Sequence, residues 1–301
     1  MILRAKIPPG EDAGRVHIGD MGPTEDEAPE RSLLRQVRES GDDLQPQDHK
    51  DTSGAEHSVS LHIGTSGWAY KEWKPAFYPQ DVPQDRFLDH YGTVLTACEI
   101  NATFYRLQSE SVVARWANAV PQGFRFAVKA HRRLTHTRQM AWNTEERAFL
   151  RTFLESIAPL GERFGAVLLQ YPPTRQRDDA GLAAVLDALP EDVAFAIEFR
   201  HDSWVDDAVF AAIAARGGTV CISETQGRVL EHLPPGPFAY IRLRADRYST
   251  PARDGWLALL RSEAEDRPVL AFTKHEGIPA GDPFGGIGFA EWLMAQLPNG
   301  A

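Results

Sequence analysis

Residues 194–204 read AFAIEFRHDSW, with four apolar positions running without a break into Glu198 and Arg200 and then His201 and Trp204. An unbroken apolar run of this length is the pattern of a strand covered on both faces. Charges of opposite sign resist such burial. The two features agree if the strand belongs to a parallel barrel, whose interior is packed and whose functional groups collect at the C-terminal strand ends.

The same pattern recurs in SLHIGTS, ACEINAT, FRFAVKA, GAVLLQYP, GTVCISE, FAYIRLR and PVLAFTKHE, making eight strand-like runs in all. Helical periodicity separates most of them, as in PQDRFLDHYGTVLTA, ESVVARWANAV, TEERAFLRTFLESIAPLG, DDAGLAAVLDALP, DDAVFAAIAARGG and DGWLALLRSEAED, and IGFAEWLMAQL follows the eighth. Asn143 and Glu146 have the spacing of a capping box, and Gly161 stands at the expected end of that helix. Strands alternating with helices make a parallel sheet, because parallel neighbours need a crossover. Eight units fit a single (β/α)8 TIM-type barrel over 61–301 better than an open doubly wound sheet. The connection around QGRVLEHLPPGP, between the sixth and seventh runs, has room for only a turn of helix.

Residues 1–60 are different in kind. They carry a net charge of −6 out of −10 for the chain and are rich in Gly, Pro, Asp, Glu and Gln, a composition that buries too little apolar surface to offset its ordering entropy. A disordered extension is expected there, with PERSLLRQVRES as a short helix within it. No run approaches the length of a membrane span, and MILRAKIPPGEDAG lacks the apolar core of a signal peptide. The expected location is the cytoplasm, with no membrane and no obligate protein partner. Cys98 and Cys221 lie in apolar runs without metal-site spacing and read as buried thiols.

Alternation along the strands sends one set of side chains inward: His62, Ser66, Glu99, Asn101, Lys129, His131, Gln170, Glu198, Arg200, Ser223, Arg242, Arg244 and His275. The opposite face is apolar, with Ile63, Ile100, Phe126, Val128, Leu169, Phe195, Ile197, Ile222, Ile241, Leu243, Leu270 and Phe272. Polar groups delivered to one mouth by every strand point to a ligand site.

The motifs IGTSGWAYKEWKPAFYP, EINATFYRLQS, GFRFAVKAHRRLTH, LLQYPPT, IEFRHDSW and FAYIRLR, in this order, resemble the YecE-like family, domain of unknown function 72. The resemblance covers roughly residues 61–245 and implies a TIM-type barrel without supplying a reaction. The matching positions include Gly64, Ser66, Trp68, Tyr70, Glu99, Asn101, Tyr105, Lys129, His136, Gln170, Glu198, Arg200, His201, Trp204, Tyr240 and Arg242. The chain departs from the family pattern twice, carrying Arg244-Ala245 in place of a His-Gly pair and FTKHEGIPAGDPFGG in place of an asparagine-rich turn.

The inward set suggests chemistry. Glu99 and Glu198 form a candidate general acid/base pair. Lys129, Arg200, Arg242 and Arg244 outnumber them by two charges, which calls for an anion, since arginine's planar fork binds phosphate or carboxylate through two hydrogen bonds. The alternative is an ion-pair lattice that closes the barrel. Lys129 is a Schiff-base candidate if neighbouring cations lower its pKa, a lysine paired to Glu99 or to a ligand anion being the simpler reading. Asn101, Gln170 and His131 would orient substrate hydroxyls, and Ser66, His201 and His275 line the same mouth. Trp68, Tyr70, Tyr105 and Trp204 either rim it and stack on a ligand or pack beneath the helices. The two glycines of GTSGW suit close backbone approach to a ligand.

No cofactor is expected. A divalent metal on Glu99, Glu198, Glu224, His131, His201 and His275 is the alternative, opposed by the neighbouring cations. The expected partner is a small anionic ligand, phosphorylated or sugar-like, handled by acid/base chemistry. Nucleic-acid binding or repair, and a non-catalytic anion-binding barrel, are the alternatives.

Overall fold

The computed structural model describes residues 61–297. The N-terminal extension and the helix expected in PERSLLRQVRES lie outside the described residues. Eight parallel strands close a barrel in sequence order, β1 to β8. They are β1 (Leu61–Thr65), β2 (Ala97–Ile100), β3 (Arg125–Lys129), β4 (Phe164–Gln170), β5 (Phe195–Glu198), β6 (Gly218–Glu224), β7 (Ala239–Leu243) and β8 (Val269–Thr273). The helices are α1 (Phe87–Val94), α2 (Glu110–Asn118), α3 (Arg132–Thr135), α4 (Thr144–Ile157), α5 (Asp179–Ala188), α6 (Asp207–Ala215), α7 (Thr250–Asp266) and α8 (Gly286–Ala295).

The local signals act as their chemistry requires. Asn143 accepts from the Glu146 amide while Glu146 reaches back to the Asn143 amide, so two of the free N–H groups at the start of α4 are satisfied. Gly161, at φ 54°, turns the chain after it into β4. Between β6 and β7 the segment 225–238 runs without a helix, the short crossover that QGRVLEHLPPGP implied. Among the described residues no helix is long and apolar enough to cross a membrane.

Two apolar layers hold the barrel. Ile63, Ile100, Phe126, Val128, Leu169, Phe195, Ile197, Ile241 and Leu243 pack with the helices. The bore is filled by Ala97, Ala127, Ala166, Leu168 and Ala196 from β2 to β5 and Cys221 of β6, opposed by Tyr240, Leu270 and Phe272 from β7 and β8 and by Phe238 just before β7. Small residues on one wall leave space for large ones across it, which fills the bore at interior density. Leu270 and Phe272 thus lie inside the bore, which corrects the helix-facing assignment from sequence. β8 is apolar on both faces, so alternation gives no direction there.

One side-chain hydroxyl is inserted into the sheet. The seam between β1 and β2 has only two paired positions, Gly64 with Ala97 and Thr65 with Cys98. Buried Tyr91 of α1 completes it: its hydroxyl accepts from the Thr65 amide at 2.8 Å and donates to the Ala97 carbonyl at 2.9 Å. A Cβ on Gly64 would fall 1.8 Å from the Ala97 carbonyl oxygen, so only glycine lets the strands approach. The other glycine of GTSGW, Gly67 at φ 103°, lies under the Tyr70 ring. Both close approaches are therefore to the protein itself and not, as the sequence suggested, to a ligand. Tyr91→Phe leaves a buried donor and a buried acceptor without partners and is expected to destabilise the barrel by roughly 2–4 kcal/mol in chemical denaturation. A cost below about 0.5 kcal/mol, the ordinary scatter of neutral substitutions, would show that the hydroxyl does not carry the seam.

Candidate active site

The C-terminal ends of β2, β5 and β7 present Glu99, Glu198 and Arg242, all buried. Arg242 lies between the two carboxylates, with Nη2 2.9 Å from Glu99 Oε1 and Nη1 2.6 Å from Glu198 Oε2. The remaining acceptors are also taken. Tyr240 donates its hydroxyl to Glu99 Oε2 at 2.8 Å, Gln170 donates to Glu198 Oε2 at 2.7 Å, and Arg200 donates Nε to Glu198 Oε1 at 2.8 Å. Every carboxylate oxygen of the pair therefore has a donor. Burial alone would raise the Glu198 pKa, but Arg242, Arg200 and the Gln170 amide overcome it and hold the group down to about 2.

This arrangement redefines two assignments. Arg242 has both terminal nitrogens on protein carboxylates, so in this structure it links the strands of the barrel mouth. Glu198, ionised and fully hydrogen-bonded, is unsuited to donate a proton and orients the arginines instead. The ion-pair lattice expected from the sequence thus describes this part of the mouth.

The leftover positive charge lies between β3 and β5. Lys129 points into the mouth with Nζ 4.2 Å from the centre of the Phe104 ring, and its amine has no hydrogen bond or ion pair among the described residues. Burial and the nearby Arg242 push its pKa down to about 8, against the pull of Glu99 and Glu198. Arg200, its side chain 46% exposed, has no partner on its terminal nitrogens among the described residues. His136 completes this side, its pKa lowered by burial and by Lys129 and Arg200, with its ring edge-on to Phe104 at 5.0 Å. As a site residue His136 was missed, although LTH in the third motif contained it. Asn101, half-buried at the end of β2, accompanies them with no side-chain hydrogen bond.

Across the mouth, Arg244 donates to Glu276 at 3.2 Å. The sequence count of two excess cations omitted this partner, and with it the excess falls to one. The pair also joins the two places where the chain departs from the family pattern. His275 stacks on Tyr70 at 4.5 Å and reaches Glu276 through Nε2. Ser66 Oγ, Arg242 Nε, Arg244 Nη1 and His275 Nδ1 are buried without partners. His275 lies beyond the end of β8; the residue that continues the strand alternation is Lys274, which donates to Asp246 at 2.5 Å.

Other expected site residues are occupied elsewhere. His131 accepts from the Arg133 amide through Nδ1, capping α3, and its Nε2 bonds the Tyr105 carbonyl at 3.2 Å, so neither nitrogen is left for a hydroxyl. His201 Nδ1 is similarly engaged by Ser203. Trp204 is 1% exposed, stacked on Phe199 at 4.1 Å with its indole N–H on the Arg175 carbonyl, which makes it a core residue. Trp68 packs edge-on against Trp116 and Phe126 in the helix layer. Tyr105, 72% exposed, is left on the rim.

The metal alternative needs a converging donor set. Glu224 instead accepts from the amides of Gln226 and Arg228 and from the Tyr248 hydroxyl. Among the described residues no three of His, Cys, Asp and Glu converge as ligands. Cys98 and Cys221 are buried free thiols with raised pKa values, each pushed up chiefly by burial.

With the geometry established, comparison with known proteins adds context. The family profile described as "Protein of unknown function DUF72" matches residues 62–281. The UPF0759 protein YunF of Bacillus subtilis (strain 168) is 27% identical over 150 residues, covering 48% of this chain and 52% of that protein. The UPF0759 protein YecE of Escherichia coli (strain K12) is 28% identical over 142 residues, covering 47% and 48%. The chain thus spans about half the length of these curated relatives. Crystal structures of DUF72 family proteins from Enterococcus faecalis V583 and Thermotoga maritima MSB8 superpose with TM-scores of 0.59 and 0.62. Each is 18% identical, and they cover 80% and 78% of this chain and 98% of theirs. The likeness to these structures is one of fold.

Removing Arg242 leaves Glu99 buried with no paired cation and Glu198 paired to Arg200 alone. Arg242→Met should cost about 3–5 kcal/mol in denaturant unfolding, and adding Glu99→Gln and Glu198→Gln should restore part of it. A loss under about 1 kcal/mol would mean that the triad is not the closure described. The folded-state pKa of Glu198 is depressed, so its stabilisation is full above the ordinary carboxylate pKa of 4.5 and is lost as pH falls toward 2. Glu198→Gln should flatten the acid limb of the stability curve in that window; an unchanged acid limb would contradict the assignment.

Proposed function

The chain belongs to the DUF72 family of proteins of unknown function, and from that premise we propose that the barrel mouth binds a small anionic, phosphorylated or sugar-like molecule and acts on it by acid/base chemistry. One observation carries the reading: with each oxygen of Glu99 and Glu198 accepting from Arg242 or its neighbours, Lys129 remains as a half-buried cation with no counter-charge in contact among the described residues. A desolvated unmatched charge is costly, so such a position favours an anion or the loss of the proton.

The roles divide accordingly. Arg200, fixed at Nε by Glu198, offers its two terminal nitrogens as a fork for phosphate or carboxylate. His136 lies beside it as a further donor, and Asn101 is placed to meet a hydroxyl. Lys129, at about 8, titrates near neutral pH and is the group suited to exchange a proton with substrate. Glu99 and Glu198 keep the cations in place.

The test is a thermal-shift panel on the full chain with inorganic phosphate, phosphosugars, sugar acids and a short oligonucleotide. One anionic class should raise the Tm by several degrees, since a ligand at about a hundred times its Kd stabilises by about 2.7 kcal/mol. Arg200→Ala should abolish that ligand-induced rise. No response to any anion, or an equal response in the variant, would overturn the reading.

A further inference from the structure

We propose that Lys129 is a covalent nucleophile, forming an imine with the aldehyde or ketone carbon of an anionic substrate whose charged group rests on Arg200. This deepens the preceding reading and rests on it. The geometric argument is one of elimination at the mouth. An ordinary interior lysine is held by a carboxylate, but the oxygens of the two carboxylates beside this one each take a donor elsewhere and none bonds Lys129: Glu99 accepts from Arg242 and Tyr240, Glu198 from Arg242, Gln170 and Arg200. The side chain is at the C-terminal end of β3, where barrel chemistry is done. Its amine rests over the Phe104 ring, whose face attracts an ammonium weakly and carries no full negative charge.

The charged and titratable groups around Lys129 are Glu99 on β2, Glu198 on β5, Arg242 on β7, and Arg200 and His136 in the adjoining loops. The anions among them are already neutralised, so the cations and burial prevail and the amine is free at a pH where surface lysines are not. On the order of a hundredfold more of it is unprotonated near pH 7.5 than for an ordinary lysine.

The step balances without a redox partner. The Nζ lone pair forms a bond to the carbonyl carbon while the C=O π electrons move to oxygen, which takes up the proton released by nitrogen. The hydroxyl takes a second proton from solvent and leaves as water as the nitrogen lone pair forms C=N, so that the iminium carries that proton's charge. The resulting iminium acidifies a neighbouring C–H, the kind of proton removal that acid/base work on sugar-like compounds requires.

The experiment treats the full-length protein with glycolaldehyde phosphate and sodium cyanoborohydride near neutral pH and maps the reduced adducts by peptide mass spectrometry. Unphosphorylated glycolaldehyde serves as the control. Lys129 should be labelled about tenfold faster than Lys71, Lys74 and Lys274. Inorganic phosphate and Arg200→Ala should each suppress the labelling, and the unphosphorylated probe should lose the preference. Labelling spread over the exposed lysines, with Lys129 no faster, overturns the inference. A parallel thermal shift with the same phosphate ester and no reductant separates the two readings. Stabilisation without a Lys129 adduct removes the nucleophile and leaves the anion site standing, whereas neither stabilisation nor adduct removes both. Lys129→Met, checked for a folded circular dichroism spectrum, should lose the adduct entirely.

Discussion

The mouth of this barrel depends on one guanidinium held between two buried carboxylates. Arg242 joins Glu99 of β2 to Glu198 of β5 across the bore, as the one cation paired to Glu99 among the described residues and as one of two, with Arg200, on Glu198. Tyr240 and Gln170 complete the set, so the C-terminal end of the bore is closed by a network in which each carboxylate oxygen has a donor. A saturated network rigidifies its surroundings and fixes the direction of whatever projects beyond it. Here that is Arg200 and Lys129.

The rest of the fold serves to place this network. Alanines on β2 to β5 and large side chains on β7 and β8 pack the lower bore, leaving the polar layer above a dry floor. The Tyr91 hydroxyl completes the sheet where β1 and β2 barely pair, close to the strand that carries Glu99. The electrostatic result is an asymmetric mouth. On the β7 and β8 side Arg244 is neutralised by Glu276, while on the β3 and β5 side a lysine, an arginine and a histidine share no free carboxylate. An anion would settle on that second side.

Much of this was legible in the sequence, for a definite reason. Where one face of a strand is plainly apolar, alternation fixes the other, so Glu99, Gln170, Glu198 and Arg242 could be placed in the bore from ACEI, VLLQ, FAIE and AYIRL. The method failed where that contrast was missing. β8 is apolar on both faces, and its phase was misjudged, placing Leu270 and Phe272 against the helices. Past a strand end alternation no longer applies, so nothing in the sequence distinguishes a ligand group at His131 from the cap of α3 that it forms. Tyr240 was hidden because an aromatic in a strand reads as core, and Glu276 because its partner Arg244 comes from another strand. Tryptophans gave no direction at all: Trp204 and Trp68 pack in the interior, and nothing in their spacing distinguishes that from a rim.

The central claim is that the closed network takes up both carboxylates and leaves Lys129 without a counter-charge. It is tested most directly by titrating the lysine side chains of the full-length protein by NMR with 13C at Cε, assigning the signal by its loss in Lys129→Arg. The account predicts one lysine with a midpoint of about 8, moving upward when inorganic phosphate is added. A Lys129 signal titrating with the surface lysines above about 10 would contradict it, because that value belongs to an ammonium that is solvated or paired.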